Sequence, residues 1–341
     1  MNLINLHGTT IVVDEIDGNL PVYFAPMTTI IITNPAIRAS HPLLFSPFKV
    51  IEIGDGEEYK TLDTIKEIIT RLLALGADRH TQIVGVGGGI VCDVTGFVAS
   101  IYMRGCPFAL VPTTLLAQVD AAIGGKNGVN YDGYKNIIGL ISRPRTVLCD
   151  VAFLSTLPAR EYNAGLSEIV KAAMISSAPF FGYIERHAEE ILQRHPRVLR
   201  KLIARAIRTK ANIVTIDEKE QGPRRLLNLG HTFAHAIEKH GALPHGEAVS
   251  VGICMAARVS LHLGMLTGEE YTRVVNLLAA FQLPTTVDIP VATLLEAIRA
   301  DKKKAATEIH LILPEGIGKA VDHLLPYTEV DQLVTTTNSE S

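Results

Sequence analysis

Four of the chain's twelve histidines fall between positions 231 and 245, in the stretch LLNLGHTFAHAIEKHGALPHGEAV. His231 and His235 stand four apart in HTFAHAIE, where Ala234, Ala236 and Ile237 supply apolar positions at helical spacing. That spacing puts both imidazoles on one helix face. Gly230 suits the start of this helix, and Gly241 and Pro244 break the chain after it. His245 then opens HGEAVSVGICMAARVSLHLG, whose apolar run predicts a buried helix. Two histidines from successive helices and one carboxylate from elsewhere would make a catalytic zinc site. Such sites take three protein ligands and leave one position for substrate or water. Taken alone, the same residues are equally at home on the surface or in the core of ordinary helices.

The elements that must carry these residues change character along the chain. TIVVDEI, TIIIT and FKVIEI are short and β-branched, as strands are. TLDTIKEIITRLLALGA has helical spacing at Ile65, Ile68, Ile69, Leu72 and Leu73 and ends at Gly76. QIVGV runs as a strand into Gly87-Gly88-Gly89, IVCDVTGFVASIYM reads as a helix, and FALVPTTLL as a strand ended by Pro112. Strand, helix, strand in this order predicts a doubly wound, mostly parallel α/β sheet. Glycines at a strand-to-helix turn let a phosphate approach the backbone at a helix N-terminus. GVGGGIVCD is not the G-x-G-x-x-G fingerprint, however, and a purely structural turn explains it as well. Asp93, one turn into that helix, would cap it or bind a ligand hydroxyl.

Between Pro112 and Asp150 the polar density is unusual: Thr113, Thr114, Asp120, Lys126, Asn130, Lys135 and Asn136 sit among glycines with little periodicity. The segment reads as a loop, either solvated or suited to a polar, anionic small molecule. From Leu157, LPAREYNAGLSEIVKAAMI predicts a turn and then a helix with Glu168 and Lys171 on one face. Helical patterning continues over 180–194, 196–216, 246–265, 267–281 and 291–300, with IHLILP as one strand-like run. The expected division is an α/β nucleotide-binding domain over 1–155 and a helical metal- and substrate-binding domain over 156–341.

Composition narrows the partners. A length of 341 residues suits two domains, and 47% hydrophobic with 20% charged residues describes a globular chain with ample core. A net charge of −3 gives no reason to expect nucleic acid as a partner. The four cysteines, Cys92, Cys106, Cys149 and Cys254, form no CxxC pair, which points to a reducing compartment and to no Cys-type structural zinc site. No secretory signal is visible at the N-terminus, and the apolar stretch at Ala248–Met265 is interrupted by Arg258 and His262. A cytoplasmic protein without a membrane span is expected.

The strings GDGEEYKTL, GGGIVCDVTGFVAS, RGCPFALVPTTLLAQVDAAIGGKNGVN, KNIIG, LPAREYNAGLSEIVK, RRLLNLGHTFAHAIE, HGEAV and DKKK occur in this order between about residues 54 and 304. In this combination the chain resembles the 3-dehydroquinate synthase family of the sugar-phosphate cyclases. The resemblance implies an N-terminal α/β NAD-binding domain, a C-terminal helical domain carrying a metal, and an active site in the cleft between. It implies a carbon–oxygen lyase of the shikimate pathway, which makes 3-dehydroquinate and phosphate from 3-deoxy-D-arabino-heptulosonate 7-phosphate. NAD⁺ oxidises the C5 hydroxyl, phosphate is eliminated, the ketone is reduced again and an intramolecular aldol closes the ring.

The family's pattern places roles on this sequence. Glu168, His231 and His245 match the ligands of Zn²⁺ or Co²⁺. Arg104, Lys126, Asn136, Lys171, Lys210, Arg224, Asn228 and His235, with Lys302 and Lys303, match the substrate contacts. Asp120, Lys126, Lys135, Asn136, Lys171, Lys210, Arg224, Asn228 and His235 match catalytic positions. On the NAD side the matches are Asn34, Glu57, Lys60, Gly88, Gly89, Asp93, Thr113, Thr114, Asp120, Lys126, Lys135 and Thr156. A homodimer is implied as well. Asn127 departs from the family's usual threonine, and Tyr131-Asp132-Gly133-Tyr134 from its usual Pro-x-Gly. His187, His195, His240 and His262 have no functional counterpart.

Three other readings compete. A 2-deoxy-scyllo-inosose, valiolone-type or aminodehydroquinate synthase would share the metal and NAD sites, but Arg224 and the DKKK lysines favour a carboxylate-bearing substrate. A metal-dependent alcohol dehydrogenase would release NADH and need fewer cations. A silent NAD- or metal-binding protein would not need every motif position filled.

Overall fold

Runs of β-branched residues frame the first half of the chain. A computed structural model describes residues 2–14, 19–301 and 307–339, so Lys302 and Lys303 lie outside the described residues. The chain divides into two compact units, Met1–Tyr162 with Leu199–Ala211, and Asn163–Val198 with Asn212–Ser341.

In the first unit, strands β1 (Asn2–Leu6) and β2 (Thr9–Asp14) form a hairpin, turning at His7-Gly8 with both φ positive. There follow β3 (Thr29–Thr33), α1 (Pro35–Ser40), α2 (Pro42–Phe45), β4 (Lys49–Glu52), α3 (Leu62–Ala74), β5 (Gln82–Gly87), α4 (Gly89–Ile101) and β6 (Phe108–Pro112). After these come β7 (Lys126–Tyr131), β8 (Tyr134–Ile141) and β9 (Thr146–Asp150). Seven strands make one sheet in the order β1-β2-β9-β6-β5-β3-β4, parallel throughout apart from the β1–β2 pair. This is the doubly wound sheet expected from the sequence. One face packs Leu20, Phe24, Phe45, Phe48 and Phe153 onto Ile31, Val84, Val86, Val111 and Leu148. Each such side chain contributes roughly 1.5–3 kcal/mol by leaving water.

From β3 the chain steps outward to β4, then returns to β5 on the other side of β3. The strand order therefore reverses between β3 and β5. In open parallel sheets, ligands bind outside the carboxyl ends of strands at such a reversal. Those ends are Thr33 and Gly87, followed directly by Asn34 and Gly88.

The segment between Lys126 and Ile141 is not the loop that its polar density suggests. It is the antiparallel hairpin β7–β8, turning at Asp132-Gly133 with φ of 50° and 78°. Two consecutive positive φ values are what a two-residue hairpin turn needs, and Asp-Gly supplies them cheaply. Polar residues and glycines hid the strand period. In β7, Lys126 is exposed while Asn127, Gly128 and Val129 are buried.

The second unit is mostly helical: α5 (Ala159–Ser176, shared with the first unit), α6 (Ala178–Arg186), α7 (Ala188–Leu192), α8 (Pro196–Ile216, likewise shared), α9 (His231–Lys239), α10 (His245–His262), α11 (Gly268–Ala280) and α12 (Val291–Asp301). The strand-like IHLILP run is β10 (Glu308–Pro314), which pairs antiparallel with β11 (Ala320–Pro326) before α13 (Tyr327–Ser339). The partner strand, AVDHLLP, was not evident in the sequence. α10 is buried along nearly its whole length, which accounts for its apolar composition. Among the described residues no helix is long and apolar enough to cross a membrane.

Candidate metal centre and nucleotide turn

Three helices of the second unit converge on a carboxylate. Glu168 projects from α5, and His231 and His245 are the first residues of α9 and α10. Nε2 of His231 lies 3.7 Å and Nε2 of His245 lies 3.9 Å from Oε1 of Glu168. One ligand atom from each residue falls within 4.8 Å of the others, and this is the one such group of histidine, cysteine and carboxylate ligands among the described residues.

The Glu168 carboxylate has two unlike oxygens. Lys171, one turn along α5, holds Oε2 in a buried ion pair. Oε1 is buried with no hydrogen-bond partner among the described residues. An unsatisfied buried acceptor costs about 1–3 kcal/mol, and more when charged. The imidazoles do not repay that cost by donating, because their protons are committed elsewhere. Nδ1 of His245 lies 3.2 Å from Oε2 of Glu238, and Nδ1 of His231 lies 3.3 Å from the Leu229 carbonyl. With Nδ1–H donating outward, each Nε2 lone pair faces Glu168. This is the tautomer and the outer partner that a metal-bound histidine takes. Burial, then the charges of Lys171, His245 and His235, hold the His231 pKa well below the usual histidine range, so the ring is neutral. Two imidazoles that turn Nε2 towards Glu168 and one orphaned carboxylate oxygen are a donor set that would hold a divalent ion such as Zn²⁺.

Glycines allow the three backbones to come this close. A Cβ on Gly252 of α10 would stand 2.1 Å from the carbonyl oxygen of Gly230, the left-handed residue (φ 80°) that starts α9. A Cβ on Gly246 would stand 2.3 Å from the carbonyl oxygen of Ala164, one turn before Glu168. No side chain fits at either contact, so α10 lies directly on the other two helices.

The remaining sites expected in this unit lie nearby in sequence and differ in burial. Arg224 is buried in a 3-10 turn (Pro223–Asn228), its guanidinium donating to the Glu218 carbonyl at 2.6 Å and its N–H to Asp217 at 3.1 Å. Asn228 donates to Glu220 at 2.6 Å. His235 is exposed, its ring edge-on to His231 at 5.6 Å. His240 is an exposed residue at the end of α9, His262 bonds the Arg258 carbonyl, and His187 pairs with Glu190.

In the first unit, of the expected NAD-side residues, Asn34, Gly88 and Gly89, and Thr113 and Thr114 follow the carboxyl ends of β3, β5 and β6. Gly88 is the extended N-cap residue of α4 and Gly89 its first residue. Asn34 caps α1, accepting from Ile37 at 3.0 Å and donating to Asp55 at 2.7 Å. Glu57 accepts from Asn130 at 2.7 Å. Lys60 pairs with Asp93 at 2.5 Å, and burial pushes the Asp93 carboxyl above its usual value despite that partner. Thr113 donates its N–H to Gly87, and the Thr114 hydroxyl caps the following turn at Ala117. Thr156 donates to the Phe153 carbonyl and lies 3.3 Å from His41.

Lys210 of α8 donates at 2.6 Å to both the carbonyl and the carboxylate of Asp120, within a π-helical turn (Ala117–Ala121) of the kind that often marks functional sites. Lys126, Lys135 and Asn136 are exposed on the β7–β8 hairpin, Asn136 at φ 54°. Arg104 is set apart. It follows α4 at positive φ and is exposed, about 20 Å along the helix from Gly88 at 1.5 Å per residue. The sequence reasoning passed over Glu238, although its seven-residue spacing from His231 puts both on one stripe of α9.

Comparison with known proteins places these motifs. Residues 50–164 match the family model described as 3-dehydroquinate synthase N-terminal, and residues 165–304 match that described as 3-dehydroquinate synthase C-terminal. A protein of Halorhodospira halophila named 3-dehydroquinate synthase is 45% identical over 275 residues, covering 80% of this chain and 78% of its own. Among solved structures, a 2-epi-5-epi-valiolone synthase from Streptomyces hygroscopicus subsp. jinggangensis, with NAD⁺ and Zn²⁺ bound, superposes with a TM-score of 0.89 at 26% identity over 100% of this chain and 99% of its own. A 2-deoxy-scyllo-inosose synthase complexed with carbaglucose-6-phosphate, NAD⁺ and Co²⁺ gives 0.86 at 26% identity, covering 98% of this chain and 99% of its own. With the two family models together matching residues 50–304, this chain belongs to the 3-dehydroquinate synthase family.

Proposed function

We propose that this chain is a 3-dehydroquinate synthase, converting 3-deoxy-D-arabino-heptulosonate 7-phosphate into 3-dehydroquinate and phosphate. The observation that carries the reading is the triad of Glu168, His231 and His245, with a buried carboxylate oxygen facing two imidazole lone pairs in a chain of this family. Identity favours the synthase over its cousins, at 45% to a named 3-dehydroquinate synthase against 26% to each of the two cyclases of known structure.

Bound NAD⁺ supplies a reversible oxidation of the substrate alcohol, and the metal supplies Lewis-acid polarisation of its oxygen. The chain's own residues bind and orient. Glu168, His231 and His245 would hold the metal. The N–H groups at Gly88 and Gly89, where α4 begins, would receive the pyrophosphate. Arg224 suits a bidentate carboxylate, and Lys171 and Lys210 suit phosphate as point charges. Asp120, bonded to Lys210, would orient a substrate hydroxyl. Asn228, His235, Lys126, Lys135, Asn136 and Arg104 complete the assignment, with Lys302 and Lys303. The reading extends to a homodimer in the cytoplasm with no nucleic-acid partner.

The deciding experiment supplies the heptulosonate phosphate, NAD⁺ and Zn²⁺ and follows phosphate and dehydroquinate together. Equal amounts of both products with no steady absorbance rise at 340 nm are expected. NADH formed in proportion to substrate would point to a dehydrogenase instead. Turnover confined to a hexose phosphate lacking a carboxylate would point to another cyclase.

A further inference from the structure

We infer that Glu238 is a positioning residue for the metal, acting through His245. The inference rests on the reading that Glu168, His231 and His245 bind a divalent ion. Glu238 lies seven residues after His231 on α9, about 20° from it around the helix axis at 100° per residue. One stripe of α9 therefore offers an imidazole at its first turn and a carboxylate at its last. The chain leaves α9 through His240 and left-handed Gly241, passes Pro244 and re-enters α10 at His245. This tight return sets Nδ1 of His245 3.2 Å from Oε2 of Glu238. The Glu238 side chain is only 12% exposed, so water screens the contact weakly.

The two histidines are oriented by unlike partners. His231 donates to a neutral carbonyl, that of Leu229, fixed by the turn that starts its own helix. His245 donates to a carboxylate, and its ring is the more exposed of the two, at 35% against 13%. The Glu238 contact restrains the His245 ring about its χ2 bond and keeps the proton on Nδ1, away from Nε2, where it would prevent ligation. A carboxylate also makes the imidazole a stronger donor, as a carbonyl does to a lesser degree. Removing such a partner costs about 10–100-fold in metal affinity.

The test measures the Zn²⁺ dissociation constant by competition with a chromogenic chelator, for the full chain and for Glu238→Ala and Glu238→Gln. NAD⁺ affinity and the melting temperature of the metal-free proteins are measured alongside. Glu238→Ala should bind Zn²⁺ about 10–100-fold more weakly, and Glu238→Gln, which keeps an acceptor oxygen, should fall between. NAD⁺ affinity and metal-free melting should not move, and kcat of both variants should recover as Zn²⁺ is raised to saturation. Zinc affinity within about threefold of the parent in both variants, with one equivalent bound to the parent, would overturn the inference and leave the metal reading standing. A parent that takes up no zinc would overturn the metal reading, and this inference with it.

Discussion

On the expected NAD side of the first unit the charged side chains are matched to partners, while among the described residues the hydroxyls of Thr33 and Thr113 are buried without one. Lys60 pairs with Asp93, Glu57 accepts from Asn130, and Asn34 bonds Asp55. At the triad they are not, because Glu168 Oε1 is buried without a donor while the imidazole protons point outward. The first region is consistent with a ligand met by backbone and by groups already held in place. The second concentrates an electrostatic deficit at one point. Such a deficit persists where the surrounding structure over-determines it, and here Lys171 pairs with the other oxygen of the same carboxylate. The difference teaches that perturbing the triad should abolish chemistry, whereas perturbing the NAD side should mostly change stability or cofactor affinity.

The largest effect is expected from His231→Ala. A metal contributes several kcal/mol of charge stabilisation, and each 1.4 kcal/mol is tenfold, so turnover should fall by about a thousandfold or more. Metal analysis should find the ion lost and NAD⁺ affinity kept. A variant that retained stoichiometric zinc and normal turnover would remove the contrast between the regions altogether.

Lys60→Met tests the matched region. It leaves Asp93 buried beside an apolar chain and should cost about 3 kcal/mol near neutral pH, the penalty for stripping one partner from a buried pair. The sign with pH follows from the raised Asp93 pKa. A carboxyl whose folded pKa exceeds its unfolded value binds extra protons in the folded state, so stability declines as pH rises through that window. The deficit of Lys60→Met should therefore shrink as pH falls and Asp93 becomes neutral. Urea unfolding at several pH values would show it, and a deficit independent of pH would mean that the pair does not govern this site.

Two glycine substitutions compare the regions by packing. Gly246→Ala puts a methyl 2.3 Å from the Ala164 carbonyl oxygen, a rigid backbone atom. The first turn of α10 must move off α5, at about 1–3 kcal/mol, and carry His245 away from Glu168. Gly88→Ala meets the Thr114 side chain, its methyl at 3.2 Å and its hydroxyl at 3.8 Å, at a φ of −71° that alanine tolerates. Weaker zinc binding is expected in the first variant and weaker NAD⁺ binding, with little loss of stability, in the second. Calorimetry on both reads the difference directly.

How much of this was legible beforehand depends on whether the signal was local. The β3 and β5 strands, the α8, α10 and α11 helices and the Gly87–Gly89 turn follow from periodicity and punctuation, which are local. That His231 and His245 open successive helices was legible too, from Gly230 and Pro244. Glu168 as their carboxylate came only through family resemblance, because nothing within α5 says which distant helices it faces. The close contacts at Gly230, Gly246 and Gly252 were invisible for the same reason, since a glycine inside a helix pattern does not name the backbone it touches. The β7–β8 hairpin was missed because Asn127, Gly128 and Asn130 interrupt the strand alternation, and pairing with β8 overrides that weak propensity.

The smallest effect is expected at Asn127, and it bears on specificity. This position departs from the family's usual threonine and adjoins Lys126, which invites the thought that it tunes the substrate. The pleat argues otherwise. Successive residues of a strand face opposite ways, so the exposed Lys126 and the buried Asn127 look in different directions. The Asn127 amide donates to the carbonyls of Gly125 and Ser142, at 2.9 Å and 2.8 Å. Its Oδ1 rests against Gly96 of α4, where an added Cβ would stand 1.8 Å away. Asn127 therefore locks the ends of the hairpin to each other and seats β7 on α4. Asn127→Thr replaces an amide by a shorter hydroxyl that cannot reach both carbonyls, and should cost about 1–2 kcal/mol of stability. Substrate KM and kcat should stay within about twofold, an activation change of some 0.4 kcal/mol at most. A large change in KM with stability unmoved would instead place Asn127 among the specificity residues, and would show that the hairpin rearranges around bound substrate.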